Sequence, residues 1–244
     1  MPEGCLLYYI TDRSQFAGDE AARERRLLQK IAEAAASGVD FIQLREKDLA
    51  TGALERLARK SLIAVREGRL AQESKGQVET RLLINSRSDV AIAVGADGVH
   101  LRSDDISVQD ARGLRTGGSG RSREFAPSLS PTGGRVLRPS STGEWLVSVS
   151  CHSENEVRTA SENADFAVFA PVFEKRDDPS SRAAGLEGLR QACRHPIPVF
   201  ALGGVTLQNA GACLETGAAG IAGIRLFQEN DVRAVVQQVR ASKA

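Results

Sequence analysis

The stretch SGVDFIQL, residues 37–44, sets the pattern that organises the whole chain. A small residue and a glycine end a helical pattern, an aspartate follows, and four mostly apolar residues then form a short strand pattern. Recurrence of one such unit along a chain predicts an architecture built from similar strand-containing pieces. Three more segments have this form, and they are VGADGVHL (94–101), ENADFAVF (162–169) and TGAAGIAG (216–223).

Eight short apolar runs punctuate the chain, and the four related segments open the second, fourth, sixth and eighth of them. Most runs are continuously apolar in their middles, which is typical of parallel strands buried on both faces. The runs span residues 6–12, 40–46, 81–86, 98–101, 145–152, 166–172, 198–204 and 220–227.

Amphipathic helix patterns lie between the runs, with apolar residues at helical spacing. Strand and helix alternating eight times over this length predict a parallel α/β fold, a single (β/α)8 TIM barrel that occupies residues 1–244. One segment, from about 113 to 144, is rich in Gly, Ser, Pro and Arg, and we interpret it as a flexible insertion between strands 4 and 5. The clearest helical stripes are Leu27, Ile31 and Ala34, then Leu54, Leu57, Ala58, Leu62 and Val65, and finally Val232, Val235, Val236 and Val239.

Composition limits the classes of function. The chain has 244 residues and a formal net charge of +1, so a general nucleic-acid or membrane surface is not expected. No basic leader or long apolar run is present, which favours a cytoplasmic protein. None of the four cysteines forms a C-x-x-C pair, so buried thiols are expected rather than a zinc site. The oligomeric state stays open, a homo-oligomer included.

A row of polar residues ends the second strand pattern. Gln43, Arg45 and Lys47 alternate, and alternate residues of a strand point the same way. Since TIM barrels bind ligands at the C-terminal ends of their strands, this row predicts an amide and two cations facing an anion at the barrel mouth. Other polar residues end strands 3 and 5, namely Asn85, Ser150 and His152.

A second candidate anion-binding element, besides the Gln43-Arg45-Lys47 row, follows strand 7. Gly203-Gly204 and the end of strand 8 occupy the place where many barrels bind phosphate through backbone N–H groups, although two glycines also suit a simple tight turn. Two anion-binding elements at the C-terminal end of one barrel predict a ligand set with two phosphorylated groups. Asp105 could hold Mg2+ between diphosphate oxygens, or together with Asp104 it could cap a helix. His100 is open between a functional role and that of a hydrogen-bonded buried histidine.

Seven segments together resemble the thiamine phosphate synthase family, which also contains the thiazole tautomerases. The likeness runs from about residue 6 to 240 and leaves residues 115–144 unmatched. The combination of Q-x-R-x-K, N-x-x-x-D, ADGVHL and S-x-H is specific, whereas each motif alone is weak. The segments are YYITD (8–12), FIQLREKD (41–48), LLINSRSDVAIAVGADGVHL (82–101), VSVSCHS (147–153), FAPVF (169–173), PVFALGGVTLQNA (198–210) and GAAGIAGIRLF (217–227).

The resemblance implies an enzyme that joins hydroxymethylpyrimidine diphosphate to thiazole phosphate and releases diphosphate. It implies that the pyrimidine diphosphate is held by Gln43, Arg45, Lys47 and Asn85, with Ser150 on the diphosphate. It further implies Mg2+ on Asp105. The thiazole phosphate would lie on Gly203, Gly204 and the backbone around Ile224 and Arg225.

The chain departs from the family pattern at three places. Ser86 stands where the synthases have an aspartate that binds metal, and Arg225 stands where they have a serine. The usual T-x-T-K loop after strand 6 is replaced by a segment in which Lys175 or Arg176 would supply the cation. These departures resemble the tautomerases, in which the S-x-H histidine, here His152, moves a proton. The alternatives are therefore a synthase, a tautomerase, a non-catalytic binder of thiamine precursors and a different phosphate-binding barrel enzyme.

Overall fold

The structure is a computed structural model that describes residues 5–71, 79–115, 145–174 and 182–242. Within these ranges eight parallel strands close into a barrel in chain order, each hydrogen-bonded to the next and the last to the first. The predicted (β/α)8 barrel is confirmed. The strands are β1 Leu6–Ile10, β2 Phe41–Leu44, β3 Arg81–Asn85, β4 Gly98–Leu101, β5 Leu146–Cys151, β6 Phe166–Phe169, β7 Val199–Ala201 and β8 Gly220–Gly223.

Helices cover the outside of the barrel, and their apolar stripes face the strands as predicted. Leu27 and Ile31 of the first helix and Val235 of the last are fully buried. A short helix and a longer one both follow β8. The helices are α1 Glu20–Ala36, α2 Thr51–Leu70, α3 Ser88–Val94, α4 Val108–Arg115, α5 Glu154–Asn163, α6 Gly185–Ala192, α7 Ala210–Glu215, α8 Arg225–Gln228 and α9 Val232–Ala241, with a 3-10 turn at Arg13–Gln15.

Strand β2 ends at Leu44, earlier than the sequence pattern indicates. Gln43 lies on the strand, but Arg45 and Lys47 lie in the loop that follows, so the prediction of one continuous strand row is wrong beyond Gln43. The reason is a competing hydrogen bond. The Arg45 N–H donates to the Thr11 side-chain hydroxyl at 2.9 Å, and the backbone ladder with β1 stops there.

Four aromatic rings fill the lower interior of the barrel. Tyr8, Phe41, Phe166 and Phe200 have ring centroids 5.0 to 6.0 Å apart and form a closed cluster of tilted and edge-to-face pairs. Such pairs stabilise beyond the area they bury. The rings thus fill the lower part of the barrel interior, and the polar groups above them face the open C-terminal end.

The repeated sequence unit has a structural counterpart at the base of the barrel. In three of the four units the aspartate carboxylate accepts the backbone N–H of the preceding strand, and each aspartate thereby joins two neighbouring strands. Ala219 holds the fourth position and has no carboxylate. The bonds are Leu7 N–H to Asp40 at 2.7 Å, Leu82 N–H to Asp97 at 2.8 Å and Val147 N–H to Asp165 at 2.7 Å.

The Asp40→Ala variant is expected to lose about 1–3 kcal/mol of unfolding free energy, because the buried Leu7 N–H then has no acceptor. It also loses the 3.2 Å contact with Arg240. Urea unfolding measures the change. Asp40→Asn, which keeps an acceptor oxygen, is the matched control and should lose less. Equal losses in the two variants would contradict the importance of the Leu7 bond.

Parts of the predicted organisation lie outside the described residues. Most of the 113–144 insertion does so, since the structure describes the chain only up to Arg115 and again from Trp145, and the single-domain assignment of that segment stays a prediction. Among the helices described, none is both long and apolar enough to cross a membrane.

Candidate functional site

A layer of polar side chains lies above the aromatic cluster. Alternation along the strands turns these residues inward, and register places them beside one another: Asn85 pairs with His100, and His100 with Ser148. Ser150 is the next inward residue of β5. Three of the residues predicted from sequence, Gln43, Asn85 and Ser150, therefore lie on or beside this row: Gln43 pairs with Leu83, two residues before Asn85, and Ser150 follows Ser148 by two.

The floor of this layer contains unpaired buried groups. Gln43 is 1% exposed, and its Nε2 finds no acceptor among the residues the structure describes. The buried Tyr8 hydroxyl beside it also makes no hydrogen bond within those residues. Burial raises the pKa of Tyr8, while the nearby side chains of Ser148 and Gln43 lower it. Because buried polar groups are rarely left without partners, this floor is suited to a polar ligand.

His100 is hydrogen-bonded at both ring nitrogens. Nδ1 lies 2.8 Å from the Ser148 hydroxyl, and Nε2 lies 2.8 Å from the Ser150 hydroxyl. Burial lowers the pKa of His100 to about 3; the charge of Arg45 also lowers it, and Asp105 raises it. The imidazole is therefore neutral near pH 7, with one nitrogen donating and the other accepting. It orients Ser150, the residue expected to contact diphosphate.

Arg45 is a half-buried cation at the rim of this layer. Burial lowers the pKa of its guanidinium, and Arg102 lowers it further, whereas Asp12 and Glu46 raise it. No carboxylate of the described chain forms an ion pair with Arg45. Lys47, in contrast, is exposed. The two predicted cations thus occupy different environments, and Arg45 is the one placed to meet a desolvated anion.

Next to Arg45 in the chain, Glu46 belongs to a partly buried ionic network that the sequence patterns do not reveal. The Arg13 guanidinium, 4% exposed, binds Glu46 at 3.0 Å and both Asp48 oxygens at 2.7 Å. Glu46 also accepts the Thr11 hydroxyl at 2.6 Å. The available signal was Glu46 itself, a carboxylate at the end of an apolar strand, which needs a cation when buried.

Gly203 and Gly204 follow β7 with φ angles of 92° and 64°, the left-handed region that favours glycine. A Cβ on Gly204 would lie 2.7 Å from the Glu174 carbonyl oxygen. The Asn209 amide also holds the Gly204 carbonyl at 3.0 Å. Among the described residues, no acceptor takes the N–H groups of Gly204 and Val205. The loop is a tight turn that also leaves N–H donors for an anion.

The neighbouring strand completes this side of the mouth. Ile224 follows β8 directly and is the N-cap of the short helix α8, whose first residue is Arg225. Both residues are half-buried. Because β8 pairs with β7, Ile224 and Arg225 lie after the strand that neighbours the Gly203-Gly204 turn.

His152 lies outside both groups, just beyond the end of β5. It is exposed, and its Nδ1 lies 2.7 Å from the Ala170 carbonyl oxygen. That oxygen can only accept, so Nδ1 carries a proton and the neutral ring keeps its lone pair on Nε2. Nε2 is free of hydrogen bonds to the described residues, which suits a proton acceptor.

Asp105 is the only predicted metal ligand of the set, and its side chain is 13% exposed. One oxygen accepts the Arg102 N–H at 2.7 Å, three residues earlier in the chain. The helix-capping alternative is not what the described residues show, because Ser107 accepts the Asp110 N–H at the start of α4. Ser86 has a φ of 60° and brings no charge. No group of three His, Cys, Asp or Glu suited to a metal occurs in the described ranges. One carboxylate fits Mg2+ when substrate phosphates supply further ligands.

The sequence also predicts a cation in the loop after β6. Lys175 and Arg176 both lie outside the described residues, which end at Glu174 and resume at Arg182. Their proposed contact with the diphosphate remains a prediction.

The chain is similar to known proteins over most of its length. The chain is 32% identical over 242 residues to a thiamine-phosphate synthase of Syntrophomonas wolfei, covering 96% of this chain and 94% of the relative. It is also 32% identical over 243 residues to a thiamine-phosphate synthase of Methanoculleus marisnigri, covering 97% and 94%. A solved structure, thiamine phosphate pyrophosphorylase from Pyrococcus furiosus, matches with a TM-score of 0.70 and 26% identity, covering 98% of this chain and 95% of that one.

The family model described as thiamine monophosphate synthase matches residues 7–120 and 135–227. The unmatched residues, 121–134, are fewer than the segment 115–144 that the motifs of the sequence analysis leave unmatched. The match spans seven of the eight strands completely and all but the first residue of β1. On this match and on the two relatives, the chain belongs to the thiamine monophosphate synthase family.

Proposed function

We propose that this protein forms thiamine phosphate from hydroxymethylpyrimidine diphosphate and thiazole phosphate, with release of diphosphate. The observation that carries the proposal is Arg45: a half-buried guanidinium without a carboxylate partner in the described chain, beside a floor with an unpaired Gln43 amide. A desolvated cation of this kind is stabilised by an anion from the ligand.

In the proposed reaction, the bond between the pyrimidine methylene carbon and the diphosphate oxygen breaks, and its electron pair leaves with diphosphate. The thiazole nitrogen then donates its lone pair to the methylene carbon, and a carbon–nitrogen bond forms. The main demand on the protein is therefore to stabilise charge on the leaving group. Arg45 meets that demand as a bidentate donor, with Lys47 as a second, exposed cation at the rim.

Other residues position the two substrates. The unpaired Gln43 amide takes the polar edge of the pyrimidine ring, with Asn85 at the end of β3 above it. Ser150, oriented by His100, donates its hydroxyl to the diphosphate. The N–H groups of Gly204 and Val205 take the thiazole phosphate on the opposite side of the mouth.

Asp105 would hold Mg2+, and the bound ion would neutralise charge on the diphosphate. The small phosphorylated substrates and the four cysteines, which form no disulfide and of which three are buried, fit an enzyme that works in a reducing, cytoplasmic compartment. The number of subunits is left open.

The test is to mix the purified protein with both phosphorylated precursors and Mg2+ and to measure thiamine phosphate and released diphosphate. The two products are expected in equal amounts, and chelation of the metal is expected to slow their formation. Folded protein that yields neither product would refute the proposal.

The geometry of His152 favours one second candidate, a thiazole tautomerase, because its Nε2 is available as a base. If the synthase proposal holds, His152→Ala is expected to retain thiamine phosphate formation within about tenfold, since a general base typically contributes more than that to a reaction that needs one. If the tautomerase alternative holds, the same variant loses a metal-independent isomerisation of thiazole carboxylate phosphate.

His195→Ala is the matched control for this experiment. His195 lies between α6 and β7, and its ring Nε2 is 3.3 Å from Glu154. Its replacement should leave either activity as in the wild type. Loss of thiamine phosphate formation in His152→Ala alone would assign His152 to the synthase reaction itself.

A further inference from the structure

We infer that Thr11 is a positioning residue of the diphosphate site: its hydroxyl fixes the backbone at Arg45 and so presets the guanidinium for the anion. The role at a diphosphate site rests on the proposed function. The hydrogen bonds by which Thr11 holds the Arg45 backbone do not depend on any substrate. Thr11 is fully buried at the end of β1 and does not itself point an unpaired group at a ligand.

Thr11 makes three hydrogen bonds to the strand end that carries Arg45. Its N–H donates to the Gln43 carbonyl at 2.9 Å, the last rung between the two strands. Its hydroxyl accepts the Arg45 N–H at 2.9 Å and donates to Glu46 at 2.6 Å. The side chain thus replaces the backbone ladder where β2 turns into its loop and holds Arg45 and Glu46, while the backbone N–H of Thr11 holds Gln43.

Arg13 reinforces the same segment from the other side. Its backbone N–H donates to Glu46 at 3.0 Å, and its guanidinium binds Glu46 and Asp48. Glu46, 6% exposed, and Asp48 lie on either side of Lys47 in sequence, so the loop after Arg45 is fixed at two points. A cation whose backbone is fixed before binding loses less conformational freedom when the anion arrives.

Thr11 is a better subject for mutation than Arg13. Removing Arg13 would leave the buried Glu46 carboxylate without its cation, and a failure to fold would then hide any effect on binding. Thr11→Val removes only the hydroxyl and keeps a branched side chain of similar volume. Thr11→Ser keeps the hydroxyl and serves as the rescue variant.

The matched control is Thr80→Val. Thr80 is also fully buried, and its hydroxyl donates to the Val39 carbonyl at 2.7 Å, next to the base of β3 rather than at the mouth. Both valine variants lose one buried threonine hydroxyl. A purely structural role of Thr11 would therefore make the two behave alike.

The experiment titrates inorganic diphosphate into each variant by calorimetry and compares KM with kcat for the pyrimidine diphosphate. Thr11→Val is expected to bind diphosphate about tenfold more weakly, the equivalent of ~1.4 kcal/mol, and to raise KM more than it lowers kcat. Thr11→Ser should restore the affinity. Thr80→Val should lower the melting temperature and keep the affinity of the wild type.

Hydrogen exchange of the Arg45 amide provides a readout that needs no substrate. Thr11→Val should speed this exchange, while Thr11→Ser and Thr80→Val should not. Thr11→Ala, which lacks the hydroxyl and demands no extra space, replaces the valine variant if that fails to fold. Unchanged exchange at Arg45 together with unchanged diphosphate affinity in Thr11→Val would overturn the inference.

The two proposals fail in different ways. If the wild-type protein forms no thiamine phosphate, the proposed function is refuted, yet the exchange comparison still decides whether Thr11 positions Arg45. If the wild type is active and Thr11→Val matches Thr80→Val in every measurement, only the positioning role is refuted.

Discussion

Arg45→Ala is expected to lower kcat/KM for thiamine phosphate formation by about a hundredfold to a thousandfold, with most of the loss in kcat. Arg45 is half-buried and has no carboxylate partner in the described chain, so its charge is available where the leaving group develops negative charge. Removing one donor to such a developing charge typically costs two to three orders of magnitude in rate, about 2.7–4 kcal/mol. Steady-state kinetics with both substrates measure the change.

Two further variants serve as comparisons for Arg45→Ala. Arg45→Lys keeps the charge but loses the bidentate fork, so an intermediate loss is expected. Arg59→Ala removes an exposed arginine of α2 that pairs with Glu55 at 2.8 Å, and its kinetics should equal those of the wild type. An Arg45→Ala enzyme within threefold of wild type would exclude a direct role of Arg45 on the diphosphate.

The stability of the wild-type protein is expected to fall as the pH is lowered from about 6.5 towards 3, in part because of His100. The folded state keeps its imidazole neutral, since burial lowers the pKa of His100 to about 3 from 6.5. Within this window the unfolded chain binds the proton and the folded protein does not, so acid favours unfolding. The contribution reaches about 1.4 kcal/mol per pH unit for one proton.

His100→Asn removes this titration and should show a shallower decline. Urea unfolding of both proteins at several pH values between 7 and 4 measures the difference between their unfolding free energies. The carboxylates titrate in both proteins, so their contributions largely cancel in this difference. The variant should be less stable than the wild type near pH 7, because Ser148 and Ser150 lose their ring partner. The gap between the two proteins should narrow as the pH falls. Parallel curves would show that His100 is protonated in the fold.

The barrel was predictable because its sequence signals are local. Continuous apolar runs mark strands buried on both faces, and each of the eight runs contains one strand. The strand ends were not predictable to the same degree, since β2 stops where the Thr11 hydroxyl captures the Arg45 N–H. A side chain from a distant part of the chain decides that boundary, and no pattern within residues 40–48 contains the information.

The same distinction applies to the site. Gln43, Asn85 and Ser150 were predictable because strand alternation alone turns them inward. Ser148 and Ser150 also alternate on one strand, beside the strand of His100, so their bonds to both of its ring nitrogens could have been inferred from register. The link of Arg13 to Glu46 joins a 3-10 turn to a loop, and only the three-dimensional structure brings them together.

The three aspartates at the base of the barrel each add a side-chain hydrogen bond within one strand pair, namely β1–β2, β3–β4 and β5–β6. Asp40 fastens β2 to β1 through Leu7, and Asp165 fastens β6 to β5 through Val147. A circularly permuted chain opened between β2 and β3 would keep the two partners of each of these hydrogen bonds on consecutive strands of the new polypeptide. Opening between β1 and β2 would instead place Asp40 and Leu7 near its opposite ends. Breaks between these strand pairs are therefore the natural ones for recombination, and the fourth pair, β7–β8, has Ala219 in place of the aspartate.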